Sequence, residues 1–392
     1  MKTVVLYIGE FGMGGISRVI VRYANALDNL KNHNVEIISK EEVKNDSILL
    51  HDLNKNIKVH SIKTFEMERK RDELKKKKGL FNKFIKEYTR SDERKHMKKW
   101  LKKFFFKRND IKVLVDFDMS IWKYLGVIPV PAVGRFSFSL AFKHSKKGKK
   151  MNKRMKLYNK LLIITDEMQK EMENFYPFAA HKTVKIYNPV GIEEVEKKSN
   201  DSSELTEIDK KMLQEDYMIG VSVLAKVKAR DEMIRAMKIL KERNIKEKLY
   251  LIGNGEEKEK LEKLIKELNL EDQVFLLGQK KNPFIWLKNA KIFIHTSYGE
   301  GLPNVLLEAM ATETPIISYD CPTGPKDILL NGECGELVEM GNVEQLADKM
   351  YNLLKDEKKQ NHYKDKMKVR RQDFTVEKSI DGFIKMIDSF EG

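Results

Sequence analysis

Gly299-Glu300-Gly301-Leu302-Pro303-Asn304-Val305-Leu306-Leu307-Glu308-Ala309-Met310-Ala311 is the stretch from which the chain is read. Its two carboxylates, Glu300 and Glu308, lie eight positions apart, separated by a glycine turn, a Pro-Asn pair and an apolar run. Upstream, Lys291 to His295 reads as a short buried strand. Downstream, Asn304 to Thr312 reads as a helix, with Pro303 in the first turn where its missing N–H is not needed. The spacing predicts Glu300 in a strand-to-helix loop and Glu308 about a turn and a half into the helix. Free N–H groups and the positive end of the helix dipole make such a start a seat for phosphate. The stretch reads as an anion site with two carboxylates placed to take hydroxyl hydrogens.

The same grammar extends in both directions. Met218 to Leu224, Leu249 to Ile252, Val274 to Gly278, Ile292 to His295 and Pro315 to Ser318 read as strands. Between them Asp231 to Glu242, Glu256 to Leu268 and Phe284 to Asn289 read as helices, and Val343 to Asp356 reads as a further helix after the last strand. At the N-terminus, residues 3–8 read as a strand and Gly9 to Gly15 as a glycine-rich loop. A helix from Ile16 to Leu30 follows, then a strand at Val35 to Ile38. Further strands are expected at Lys112 to Asp116, Val130 to Gly134 and Leu161 to Thr165, and Val184 to Pro189 closes this half. Alternating strands and helices of this kind build parallel sheets. The prediction is an α/β chain of two Rossmann-like domains facing across a cleft, with ligands at the carboxyl ends of the strands. Residues 1–196 form the first domain, 210–373 the second, and 374–392 a final amphipathic helix packing back on the first. The polar stretch 197–209 reads as the linker.

At 392 residues, 41% of them hydrophobic, the chain is long enough for two real cores. Cys321 and Cys334 make neither a metal spacing nor a disulfide framework, which points to a reducing compartment. No apolar run is long enough to span a bilayer. The start, Met1 to Ile8, lacks a small-residue cleavage site and reads as a core strand rather than a signal sequence.

The net charge of +16 is unevenly spread. Residues 69–108 hold eighteen Lys and Arg against five Asp and Glu, and 143–160 hold nine basic residues and no acid, so the remainder is net acidic. Basic charge interleaved with Phe81, Phe84, Trp100 and Phe104 to Phe106 in a helical pattern suits an anionic membrane surface. A solvated charged hairpin is the plainer reading. Nucleic acid is disfavoured, because no nucleic-acid motif accompanies the charge.

Glu300-Gly301-Leu302-Pro303-Asn304 through Glu308-Ala309-Met310-Ala311 resembles the retaining glycosyltransferases of family 4, which have the GT-B fold. The likeness continues through Thr314 to Ile317, Asp320 to Pro325, Asn331-Gly332 and Gly335 to Val338. It also takes in Ile252-Gly253-Asn254-Gly255, Phe275 to Gly278 and Gly14 to Val19. It covers the C-terminal half well, and the N-terminal half only at its first loop and around Tyr187-Asn188-Pro189.

The resemblance implies a nucleotide-sugar donor, of UDP type, and a glycan or lipid-linked acceptor in cell-surface polysaccharide synthesis. The enzyme would be metal-independent, cytoplasmic and peripheral on the inner face of the membrane. Glu308 resembles the residue that holds the donor ribose, and Glu300 the one near the donor sugar. Lys228 resembles the cation that neutralises the leaving diphosphate. Backbone N–H groups around the turn Gly301, Leu302, Pro303 and Asn304 would meet the sugar and the diphosphate, Pro303 itself having none to give. Gly253 and Gly255 belong to the donor side, and Gly14 and Gly15 would let the first loop approach the phosphates. The family's usual Arg five residues before this lysine is Val223 here, leaving Lys226 or Arg230 to substitute. The family's His at a middle N-terminal strand is missing, and Arg135 takes part of that place. Two other readings stand beside this one, a GT-B nucleotide-sugar epimerase and a non-catalytic subunit of a glycosylation complex. His295 reads as a pocket-wall residue, and Cys321 as a small lining residue with no base beside it.

Overall fold

A computed structural model describes residues 1–12, 15–43, 48–67, 69, 73, 81–140 and 146–390. The chain forms two compact units. The N-terminal unit comprises Met1–Ile164, Gln169–Pro189 and Val376–Gly392, and the C-terminal unit Thr165–Met168 and Val190–Thr375. The polar stretch 197–209, expected to be a linker, instead carries the end of the helix Ile192–Ser199 and the start of Glu207–Met212, both inside the C-terminal unit. A Thr206–Asp209 capping box makes a helix of that polar sequence.

The N-terminal unit holds a parallel sheet in the order β3-β2-β1-β4-β5-β6-β7. Its strands are β1 (Lys2–Ile8), β2 (His33–Ser39), β3 (Lys58–Ser61), β4 (Ile111–Asp116), β5 (Ala132–Arg135), β6 (Lys160–Ile163) and β7 (Thr183–Lys185). Both faces are covered, which is why β1 is a near-continuous apolar run. Val4, Leu6 and Ile8 pack with Val19, Ile20 and Leu27 of the helix Gly15–Leu30 and with Phe383 and Ile387 of the helix Val376–Asp388. Val5 and Tyr7 face the other way, onto Met97, Leu101 and Phe105 of the helix Phe81–Phe105.

That second packing takes up part of the apolar side of the basic segment. Trp100 and Phe104 stack at 5.1 Å and abut His60, so the apolar residues from Met97 to Phe105 pack on their own unit. Lys98, Lys99, Lys102 and Lys103 stay exposed, and so does Phe106, at 69%.

The C-terminal unit has β8 (Tyr217–Val221), β9 (Lys248–Ile252), β10 (Val274–Gly278), β11 (Ile292–His295), β12 (Ile316–Tyr319) and β13 (Glu336–Val338). Their order is β10-β9-β8-β11-β12-β13, all parallel. This is the doubly wound arrangement, in which connections leave β8 one way and β11 the other. The crevice between the carboxyl ends of those two strands is where open α/β sheets bind ligands.

Candidate active site

Lys228 and Glu300 are 72 positions apart in sequence, yet meet because β8 and β11 are neighbours. The chain leaves β8 through a short turn, Lys226–Lys228, and Ala229 then takes the left-handed conformation at φ 44° before the helix Arg230–Glu242. Thr296, just past β11, donates its hydroxyl hydrogen to the carbonyls of Lys228 and Ala229, and Tyr298 N–H donates to Val227 O. The two loops are thus tied together at the switch point. Lys228 Nζ donates to Glu300 Oε1 at 2.5 Å, and His295 Nε2 lies 3.1 Å from the same oxygen.

Glu300 is held from behind as well. Thr323 Oγ1 donates to its carbonyl at 2.6 Å. Gly324, at φ 99°, lets the loop 321–324 press on the turn, since a Cβ there would sit 2.5 Å from Gly301 O and 2.6 Å from Pro303 Cδ. Only glycine combines that φ with that closeness. The glycine at 324 was read with the family likeness, but its packing against Gly301 carries no signal in the sequence.

The electrostatics favour an anionic Glu300. Burial alone would push its carboxyl up, but His295 and Lys228 more than offset this and bring it down to about 2. Arg230, the buried first residue of its helix, adds positive field. Its Nε donates to Ser222 Oγ and a terminal nitrogen to Val221 O, and burial lowers its own pKa to about 10. Arg230 therefore lies under the turn and acts by charge, while Lys226 is exposed and Val223 is open to solvent. The side chains of Lys228 and Glu300 are 19% and 10% exposed, so the lysine is the member of the pair that can reach a second anion. The Cys321 thiol is pushed up to about 12, by burial first and by Glu300 next, and is no nucleophile at neutral pH.

The helix Asn304–Ala311 starts directly from the Glu300 loop, with Pro303 at the cap position rather than in the first turn. Leu306, Leu307, Ala309, Met310 and Ala311 are buried, and so is Glu308, at 4% exposure. Gly301, Leu302 and Pro303 are buried at the turn, and Asn304 is half-buried.

Gly253 and Gly255 have a packing reason of their own. At φ 144° a Cβ on Gly253 would fall 1.8 Å from Ser222 O, and one on Gly255 2.3 Å from Leu224 O. The loop after β9 thereby lies directly against the one after β8, with Leu224 N–H donating to Asn254 O. Gly14 lies outside the described residues, and Gly15 opens the helix Gly15–Leu30 of the other unit. Arg135, at the end of β5, is buried and donates to Asn188 Oδ1 at 2.5 Å and Ser137 Oγ at 2.6 Å. Burial lowers its pKa to about 10. Among the described residues no group of three His, Cys, Asp or Glu is gathered to hold a metal ion.

The arrangement offers a buried carboxylate, a partly exposed cation beside it, a helix start, and a second buried carboxylate about one turn into that helix. Comparison with known proteins shows what the chain is similar to. Residues 201–370 match the family model for glycosyl transferases group 1. An uncharacterised glycosyltransferase of Methanocaldococcus jannaschii is 31% identical over 250 residues, 56% of this chain and 61% of the relative. The N-acetylgalactosamine-N,N'-diacetylbacillosaminyl-diphospho-undecaprenol 4-alpha-N-acetylgalactosaminyltransferase of Campylobacter jejuni is 30% identical over 221 residues, 56% of this chain and 58% of the relative. The matches thus span about three fifths of those relatives. Among solved structures, S. aureus TarM, in a complex with fondaparinux, alpha-GlcNAc-glycerol and UDP, aligns with a TM-score of 0.76 at 14% identity, covering 99% of this chain and 100% of that one. The match to that family model thus falls within the C-terminal unit, and the chain as a whole has the GT-B fold of the solved structures it resembles.

Proposed function

We infer that the chain is a retaining glycosyltransferase of the family 4 type, moving a sugar from a UDP-sugar to a glycan or lipid-linked acceptor in cell-surface polysaccharide synthesis. The observation that carries this reading is the Lys228–Glu300 pair at the β8/β11 switch point, eight residues before Glu308 on the helix that follows. Cleaving a sugar–diphosphate bond needs a stabilised anionic leaving group and support for a sugar that gains positive character. Lys228 and the N–H groups of Gly301, Leu302 and Asn304 serve the first need, and the anionic Glu300 the second. Glu308 takes the ribose hydroxyls. The UDP bound in TarM supports the choice of nucleotide, and the acceptor named for the Campylobacter relative supports a lipid-linked glycan.

A thermal-shift screen of nucleotides and nucleotide sugars tests the donor. UDP and one UDP-sugar should raise the melting temperature in proportion to ligand excess over Kd. With that donor, NMR of the product should show the anomeric configuration of the donor retained. A screen in which UDP gives no shift, or an inverted product, overturns the reading.

Membrane attachment belongs to this proposal, on the inner face and by charge. Met97, Trp100, Leu101, Phe104 and Phe105 of the helix Phe81–Phe105 pack within its own unit, which leaves the exposed lysines to meet an anionic surface. Flotation with vesicles should require anionic lipid and fall steeply between low and high salt. Flotation indifferent to both would leave the basic helix as a solvated face.

A further inference from the structure

One oxygen of Glu300 has two suitors. Lys228 Nζ holds Oε1 in an aligned hydrogen bond at 2.5 Å, while His295 Nε2 stands 3.1 Å from the same atom. Neither ring nitrogen of His295 makes an aligned hydrogen bond with a described residue. The imidazole is 1% exposed, at the last position of β11, its ring stacked on Phe293. A buried polar group left unsatisfied costs roughly 1–3 kcal/mol. An apolar side chain would fill the space without that cost, so the ring's position beside Glu300 calls for a reason.

We propose that His295 is a positioning residue that takes over Glu300 when Lys228 turns to the diphosphate of the donor. The proposal rests on the donor reading above and deepens it. In the free protein Lys228 neutralises Glu300. Once its ammonium moves to phosphate oxygens, Glu300 would be a buried carboxylate with no cation in contact, free to swing or to pick up a proton. His295 Nε2–H then donates to Oε1 and keeps the carboxylate ionised and aimed. No covalent bond changes, and the only transfer is of a hydrogen-bond partner. The groups facing the ring suit a neutral donor. Burial holds its pKa below the usual value; Glu300 pulls it up, while Arg230 and Lys228 push it down. Cys321, the remaining titratable neighbour of Glu300, stays a thiol.

Nitrogen-15 NMR of the imidazoles in the full chain reads the exchange, with His295→Gln assigning the resonance. Lys228→Ala without ligand should mimic the handed-over state. A like charge is gone and Glu300 is unopposed, so the His295 titration midpoint should rise by about one unit or more. UDP added to the wild type should move the same resonance in the same direction. An unchanged midpoint in Lys228→Ala overturns the proposal. A midpoint that rises there, with no response to UDP in the wild type, supports the His295–Glu300 pairing and sinks the donor reading instead. In turnover with the donor found by the screen, His295→Leu should lower kcat roughly 10–100-fold at nearly constant KM, the cost of a misplaced group. His295→Gln, which keeps an N–H near the Nε2 position, should recover most of it. Equal losses in both variants, at unchanged melting temperature, would also overturn it.

Discussion

Replacing Glu308 by alanine is expected to weaken UDP binding by about two orders of magnitude or more, measured by titration calorimetry. A carboxylate that accepts from two ribose hydroxyls makes two charge-assisted hydrogen bonds, each worth about 1.5–3 kcal/mol. Losing about 3 kcal/mol is a little over a hundredfold in Kd. The position supports so large an effect. Glu308 is buried among Leu306, Leu307, Ala309 and Met310 on a helix that is otherwise apolar. An acid placed there costs desolvation, which charge-assisted hydrogen bonds to ribose hydroxyls would offset. Glu308→Gln, which keeps an acceptor but loses the charge, should fall between the two. The ligand-free melting temperature separates binding from folding, because a variant that merely unfolds loses affinity together with its transition. A folded Glu308→Ala protein with unchanged UDP affinity would remove Glu308 from the donor site and with it the reading of the helix Asn304–Ala311 as a nucleotide platform.

The central strands of both sheets were legible because parallel strands buried on two faces are short continuous apolar runs bounded by polar or glycine turns. Ile292–His295 and Ile316–Tyr319 are of this kind. The edge strands β3 and β13 were not. Lys-Val-His-Ser, the sequence of β3, is half-exposed and polar, and Glu-Leu-Val in β13 is three residues long. Glu336 is buried there because Lys349, Lys359 and Tyr363 reach it from helices further along the chain, which no local pattern announces. The site divides in the same way. The loop-to-helix setting of Glu300 and Glu308 follows from local sequence. The meeting of Lys228 with Glu300 depends on strand order, and the resemblance to a known family pointed to Lys228 where spacing could not. His295 was in plain view five residues before Glu300, but its ring reaches the carboxylate only because the loop folds back over the end of β11. The basic helix shows the opposite case. Its apolar positions were visible, but no local pattern announced that β1 and β4 would cover those from Met97 to Phe105.

Lys228→Ala should lower turnover by roughly 100–1,000-fold, the usual loss when one preorganised group is removed from a developing anion. It should also alter stability in a way that depends on pH, and the sign follows from Glu300. In the folded wild type that carboxyl is held at about 2 against an ordinary 4.5. A depressed carboxylate contributes stability that is fully present above the ordinary pKa and is lost as pH falls toward the folded value. Without Lys228 one of the two partners that offset burial is lost, so the folded pKa of Glu300 rises from that value, while His295 and the field of Arg230 still hold the carboxylate ionised at neutral pH. The variant therefore forfeits part of this stabilisation at neutral pH, where the wild type has all of it. Acidification narrows the gap, because below about pH 4.5 the wild type is losing the same contribution. Denaturant midpoints measured from pH 7 downward should converge for the two proteins, and the acid limb of the variant's residual activity should move upward. Lys228→Arg restores the charge but not the compact ammonium, so stability should recover further than turnover. Parallel midpoints across the whole range, with turnover near that of the wild type, would mean that Lys228 only decorates the turn. Turnover lost together with converging midpoints would tie one lysine to both tasks, neutralising Glu300 in the resting protein and the diphosphate in the reacting one.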